Sequence, residues 1–512
     1  MQCPWKKRET VMRHLRRTLR LAAGIGAMLL LCAAGRAQSI LTYHHDGARS
    51  GLYVMPRLTW QRAGGMHLDP DFDARIEGHI YAQPLFWHDR QTGRKLVIVA
   101  TEDDVVYGLD AHDGKVAWKT SLGRPVPRSA LPCGNIAPLG ITGTPVIDGI
   151  KDTLYLDAMV EAEDGSGAQH LVFGLSVSDG SVLPGFPVNV AEALRARGMT
   201  FAPRLQNQRG ALLIAENKLF IPYGGHYGDC GQYHGWVVGI DLNDPRSVDA
   251  WSTRAAGGGI WAPGGISYDG RSLFVATGNT KGAREWADGE AIIRLGLDLK
   301  PSTDPRDFFA PTDWKALDDS DLDLGGVNAL PLDVSDPGGK TALLLALGKD
   351  GKAYLLDRTS LGGIGGARAV ERVARNAIIT APAVLPTQNG SLVAFEGSGA
   401  SCPNRVTTAG LTVLKIEAHP APKISTAWCG DIRGRGAPIV TTDDDNSNPI
   451  IWMVGAEGDD RLHGFRADTG APVFIGGGPA ESMQGLRHFV TILASDDRLF
   501  VAGDGRIYAF KP

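Results

Sequence analysis

The sequence lacks every short cysteine motif. Six cysteines stand in 512 residues, and no two are spaced as CxxC or CxxCH. That excludes a zinc ribbon and a covalently attached haem. A cationic surplus is missing too: 52 Lys and Arg face 56 Asp and Glu. Nucleic acid needs cationic surface to bind, so it is excluded as a partner. No apolar run beyond residue 37 is long enough to cross a bilayer. Charged residues, at 21%, are too few for a disordered chain, and 43% apolar content supports a large core. With 66 Gly and 30 Pro, the composition is wrong for a helical protein.

What is present begins with an export segment. Arg13, Arg16, Arg17 and Arg20 precede the apolar run "LAAGIGAMLLLCAAG", and "GRA" ends at Ala37. Residues 1–37 are therefore expected to be a signal peptide, which places the rest, 38–512, in the periplasm or outside the cell. The segment holds eight of the Lys and Arg and one Glu, so the remainder carries 44 against 55, a net charge of −11. Four cysteines follow it: Cys133, Cys230, Cys402 and Cys429. An even count in an exported chain predicts disulfides, and the expected pairs are Cys133–Cys230 and Cys402–Cys429.

One phrase recurs. It reads "VVYGLDAHDGKVAW" (105–118), "LVFGLSVSDG" (171–180), "WVVGIDLNDP" (236–245), "AYLLDRTSLGG" (353–363), "RLHGFRADTG" (461–470) and finally "RIYAFKP". Each is a short apolar strand followed by an Asp/Gly-rich turn. A second phrase precedes it: "YAQPLFW", "TGTPVID", "NALPLDV", "TAPAVLP", "GAPIVTT". The period of about 50–70 residues has room for four strands, which indicates propeller blades. The fold class expected is all-β: a single eight-bladed β-propeller with four-stranded antiparallel blades. The blades begin near Tyr81, Thr142, Ala211, Trp261, Asn328, Thr380, Ala437 and His488. The last has room for only three strands, so an N-terminal strand from about Leu58–Glu77 is expected to close it and remove the open edges. Trp118, Trp251 and Trp428 are expected to fill gaps between blades.

The phrase Y-x-L-D-x-x-x-G-x-x-x-W resembles the pyrroloquinoline quinone (PQQ) repeat of the quinoprotein alcohol dehydrogenases, and the opening "YHHDGARSG" looks like an exported quinoprotein-like subfamily. By that resemblance, "ISYDGRSLFVATGN" ends at Asn279, where the dehydrogenases have a calcium ligand. "DSDLDLGGVN" places Asp323 where they have the catalytic base. "GKDGKAYLLDR" places Lys349 at their quinone-contacting basic residue, and Trp261 lies near their ring-floor tryptophan. PQQ and calcium are the cofactors the resemblance implies. The sequence also departs from those enzymes. In "GGHYGDCGQYHG", His226 stands about where a calcium-binding Glu belongs, with Asp229 close by. Only Cys133 stands where they have vicinal cysteines. Tyr81 replaces a quinone-contacting acid, and Leu322 replaces the tryptophan of the base motif.

In a propeller the loops between second and third strands share a face with the loops between blades. Glu102-Asp103-Asp104, the 226–234 loop, Asn279, Lys349, Cys402, Asp323 and Cys133 are therefore expected around the mouth of one funnel. Asp323 is the candidate base; Lys349, Trp261 and Cys133 are candidate cofactor contacts; Asn279, His226 and Asp229 are candidate cation ligands. Two functions stay open. The first is a non-catalytic propeller, a monomer, binding a small molecule, a glycan or a protein at the funnel mouth. The alternative is a PQQ- and calcium-dependent dehydrogenase acting on an alcohol or sugar. Lys349 is expected to point into the funnel, and as a turn-flanking lysine to contribute no more than about 0.5 kcal/mol to folding.

Overall fold

The computed structural model describes residues 38–165, 167–403, 406 and 409–512; the expected export segment lies outside the described residues. Among these residues the strands form eight sheets. Their innermost strands are Leu85–His88, Val146–Asp148, Leu213–Ala215, Ser267–Tyr268, Leu330–Asp336, Ala383–Thr387, Ile439–Thr442 and Ile492–Ser495, taken as blades 1 to 8. Each runs outward through antiparallel neighbours, as in blade 1: Leu85–His88, Lys95–Ala100, Val105–Asp110 and Val116–Ser121. This is the expected eight-bladed propeller. Blade 8 supplies three strands of its own, and His67–Leu68 and Ala74–Arg75 pair antiparallel with its last strand, Arg506–Lys511. The two ends of the domain are thereby joined in one sheet.

The core lies between blades. Leu96, Ile98, Leu154 and Leu156 form one cluster across blades 1 and 2, and Leu343, Leu345, Val393 and Phe395 another across blades 5 and 6. Tryptophans seal two of these seams as expected. The Trp118 indole N–H donates to the Val177 carbonyl at 3.0 Å, and that of Trp428 to Ala467 at 2.9 Å. Each ring caps the strand-end turn of the next blade. Between blades 2 and 3 a fully buried polar triad lies beside the apolar seam formed by Val146, Val172, Leu219 and Ile221. His170 Nδ1 lies 2.7 Å from Asp157, whose other oxygen accepts from Tyr223 at 2.8 Å.

One element escapes sequence reasoning. Residues 40–55 run around the axis and pair with the inner strands. Ile40 exchanges hydrogen bonds with Phe86 of blade 1 at 2.7 and 3.0 Å. The carbonyls of Leu41, Gly47, Ser50 and Gly51 accept from Ile147, Tyr268, Val384 and Val440, at 2.7–2.8 Å, on blades 2, 4, 6 and 7. Leu52–Val54 then adds to blade 7 as a parallel strand on its axial side. Gly51 holds a φ of +63° while packed against Ala383, so a side chain there would meet both strain and a wall.

At the centre of this hub is Arg49, fully buried. Its guanidinium donates to the carbonyls of Leu212 (2.9 Å), Ile266 (2.9 Å) and Tyr43 (3.2 Å) and to the Thr42 hydroxyl (2.6 Å). Burial lowers its pKa to about 10, so it stays charged at neutral pH. Replacing it with Leu strands at least two buried carbonyls of blades 3 and 4. Arg49→Leu is expected to lower stability by about 3 kcal/mol or more, read as a shifted midpoint in guanidinium unfolding.

Candidate functional site

Four of the residues singled out in the sequence meet at the axial ends of blades 4 and 5. Trp261 precedes the inner strand of blade 4, and Asn279 follows its second strand, Leu273–Thr277. Asp323 caps the short 3-10 turn Leu324–Gly326 in the passage to blade 5. Lys349 sits in the hairpin between Gly339–Leu347 and Lys352–Asp357.

Asp323, only 3% exposed, is the hub of the group. Its Oδ1 accepts from the Asn279 backbone N–H at 2.9 Å. Its Oδ2 accepts from the Lys349 ammonium at 2.6 Å and from the Trp261 indole N–H at 3.2 Å. The main chains are tied as well, Lys349 N–H donating to the Asp323 carbonyl at 2.9 Å. The ammonium also reaches Asp321 at 2.9 Å and lies 5.1 Å from the Trp261 ring centre. Gly278 permits this: a Cβ there would stand 3.0 Å from Asp323 Oδ1 and 3.1 Å from Trp261 Nε1.

Burial is the largest influence on Asp323 and raises its pKa, against the opposing pull of Lys349 and the Asn279 N–H. For Lys349, burial works against the charge, but Asp323 and Asp321 outweigh it and the pKa is raised. Lys349 therefore points inward, and the expectation of a negligible folding role is corrected. It is the counter-ion of a buried carboxylate.

Glu290 belongs to the same cluster and was not singled out in the sequence. It is fully buried; its Oε2 accepts from the Leu324 N–H at 2.7 Å, and its Oε1 has no partner. Burial and the Asp323 charge push its pKa up to about 9. A Glu at the start of an apolar strand, in "GEAIIRL", carries no signal that would distinguish it from a solvated turn residue.

The other candidates are not bonded to this group, although Tyr233, the partner of Asp229, is near enough to feel the Asp323 charge. Cys133 is bonded to Cys230 with Cα atoms 6.1 Å apart, and Cys402 to Cys429 at 5.7 Å, the pairings expected. His226 is buried and its Nε2 donates to the Arg204 carbonyl at 3.0 Å; burial lowers its pKa to about 4. Asp229 is exposed and accepts from the Tyr233 hydroxyl at 2.5 Å. The Lys281 ammonium donates to the carbonyls of Asp229 and Gly231. The 226–234 loop is thus stapled by a disulfide on one side and a lysine on the other.

Asn279, His226 and Asp229 do not form a ligand set. Among the described residues no group of three or more His, Cys, Asp or Glu could hold a metal. Calcium takes about six to eight oxygen donors. Here the Asn279 side-chain amide is without a hydrogen bond to any described residue, while both oxygens of Asp323 are engaged by donors within the protein. The residues present do not fit calcium, and the Lys349 ammonium lies by the Trp261 ring that would floor a quinone.

No protein-family model matches the sequence, and no curated protein matches it. The fold has solved relatives. The quinohemoprotein alcohol dehydrogenase from Comamonas testosteroni superposes with a TM-score of 0.61 at 14% identity, over 92% of this chain and 80% of that one. A europium-containing methanol dehydrogenase gives 0.62 at 14% identity, over 93% and 98%. These likenesses establish the propeller fold.

Two outcomes test the cluster. Lys349→Met is expected to cost about 3 kcal/mol by leaving Asp323 buried and unpaired, and adding Asp323→Asn to recover most of it, measured as a double-mutant cycle in urea. Glu290 holds its proton in the folded protein to about pH 9 but loses it in the unfolded chain near pH 4.3. Stability from this group therefore falls as pH rises through that window. Glu290→Gln, which keeps the acceptor for Leu324, is expected to match wild type at pH 4 and to exceed it at pH 8 in thermal unfolding.

Proposed function

We propose that the protein is an exported, non-catalytic β-propeller, a periplasmic or secreted monomer that binds a small molecule, a glycan or a protein segment at its funnel mouth. The observation that carries this reading is the state of Asp323. A general base needs a lone pair within reach of the proton it removes. Asp323 is only 3% exposed, and three donors inside the protein already occupy three of the four lone pairs of its carboxylate. The cluster of Trp261, Asn279, Asp323 and Lys349 then acts as a rigid floor that holds the blade 4 and blade 5 loops at the mouth. Rigid loops on a closed ring suit recognition, because little ordering is needed on binding. The two disulfides agree with residence outside the cytoplasm.

A second reading is a PQQ- and calcium-dependent dehydrogenase of an alcohol or sugar. It is favoured by the convergence of the four residues that match the quinoprotein motifs. The test is to titrate purified protein with PQQ and calcium, following tryptophan fluorescence, and to assay dye reduction with a panel of alcohols and sugars. No saturable quenching and no substrate-dependent reduction are expected. Tight quinone binding with turnover would replace the first reading with the second.

A further inference from the structure

Across the mouth from the Asp323 cluster, a second group of side chains gathers on the axis itself. Arg209 precedes the inner strand of blade 3 and is half-buried. Its guanidinium carbon lies 5.6 Å from the ring centre of Phe489, which belongs to blade 8. Blades 3 and 8 are separated by two others, so the guanidinium stands over the axis. It makes no hydrogen bond or ion pair with any described residue, and its Nε is buried without a partner. Glu102 and Tyr81, on blade 1, are close enough to act on its charge, yet neither bonds it. Tyr81 is already taken, accepting from Arg487 at 3.0 Å, and Arg487 is spent on Asp504 at 2.6 Å. An arginine brought to the centre of a ring and left unbonded is unusual, because an unmet charged donor is costly to bury.

The surroundings of Arg209 share this property. Gln208 Oε1 and Thr380 Oγ1 are buried and unpaired, while Thr142 and Gln83 lend their side chains to Glu102 and Tyr53. Each stands two to five residues before the inner strand of its own blade, on blades 1, 2, 3 and 6. Polar side chains of four blades therefore occupy matching places around the axis, two of them with hydrogen-bonding capacity that no protein group uses. Beneath them lies the N-terminal hub. Tyr43 packs with Ala211, Ala381 and Ala437, and its ring stacks on His44 at 4.4 Å. Above the hub the throat thus holds a cation with unused donor capacity, with the Phe489 ring beside it and the Arg487 guanidinium close by on Tyr81.

We infer that this axial throat receives the anionic head of a small ligand, a carboxylate or phosphate group held by Arg209, with Phe489 and Tyr81 against the body that carries it. A guanidinium presents paired N–H donors that match either anion, and such charge-assisted bonds are the stronger kind. The inference rests on the binding reading above and names the chemistry it would select.

The test is calorimetric titration of wild type, Arg209→Gln and Arg209→Lys with citrate, benzoate and inorganic phosphate at constant ionic strength. Arg246→Gln, at a solvent-exposed arginine, is the control for nonspecific charge effects. At least one anion is expected to bind wild type at a single site, with roughly tenfold or greater weakening in Arg209→Gln. Arg209→Lys should fall between, and Arg246→Gln should match wild type. The citrate and benzoate arms against the phosphate arm identify which head group is preferred. Circular dichroism checks that the variants fold; should Arg209→Gln not fold, the weakening in Arg209→Lys decides. Failure of all three anions to bind wild type at millimolar concentration overturns the inference, and so does binding that is unchanged in the Arg209 variants. Dye reduction with the quinone bears on the non-catalytic reading alone, so the two can fail separately.

Discussion

An eight-bladed ring leaves a hole. The inner strand of every blade faces it with one edge of N–H and C=O groups that no other blade can reach. Buried main-chain groups must find partners, and here residues 40–55 supply them. Five inner strands meet the main chain of this segment directly, on blades 1, 2, 4, 6 and 7. Blade 3, and blade 4 a second time, are reached by the Arg49 guanidinium. Arginine suits the position because its donors diverge in a plane, so one side chain can serve carbonyls on different blades. Everything at the mouth stands on this hub. It lies along the axis and ties the inner ends of six blades to one segment.

Within that frame the two polar groups at the mouth behave differently. Around Asp323 the carboxylate collects the Lys349 ammonium, the Trp261 indole and the Asn279 main-chain N–H, while the Asn279 side chain and Glu290 Oε1 are left over. Around Arg209 donors and acceptors are left over. Asp323, at the position that resembles a catalytic base, is thus more fully bonded than Arg209, which no motif marks.

The propeller was legible in the sequence because its determinants are local and repeated. An apolar strand followed by an Asp/Gly turn reports a hairpin at short range, and eight inner-strand phrases report eight blades. The closure by residues 58–77 followed from arithmetic, since a blade with three strands needs a fourth. The disulfides were legible for a similar reason, with Cys133 and Cys230 on loops of neighbouring blades on one face and Cys402 and Cys429 on a loop and the exit strand of one blade. The hub was not. "YHHDGARSG" has no alternation and no apolar run, and its partners are backbone atoms, which carry no residue code. Lys349 was read as pointing inward, but its weight in folding was not seen, because the burial of Asp323 depends on Trp261 and Gly278, some sixty and forty-five residues upstream. Glu290 and Arg209 were silent for the same reason: what distinguishes each is the absence of a partner, and absence has no sequence pattern.

The hub also imposes an order in time. Residues 40–55 leave the ribosome, and cross any membrane, ahead of every blade they bind. Their partners on blades 6 and 7 lie more than three hundred residues downstream, and blade 8 is completed by pairing His67–Leu68 with strand Arg506–Lys511. Contacts of such sequence separation are slow to form. Arg49 has all its partners once blades 3 and 4 are made, and the segment meets its last main-chain partner on blade 7, but the ring stays open until the final strand arrives. The ring therefore cannot mature blade by blade like an open repeat array. It closes in one late event, and a chain without strand Arg506–Lys511 retains two open edges, the features by which a protease or a chaperone recognises an unfinished protein.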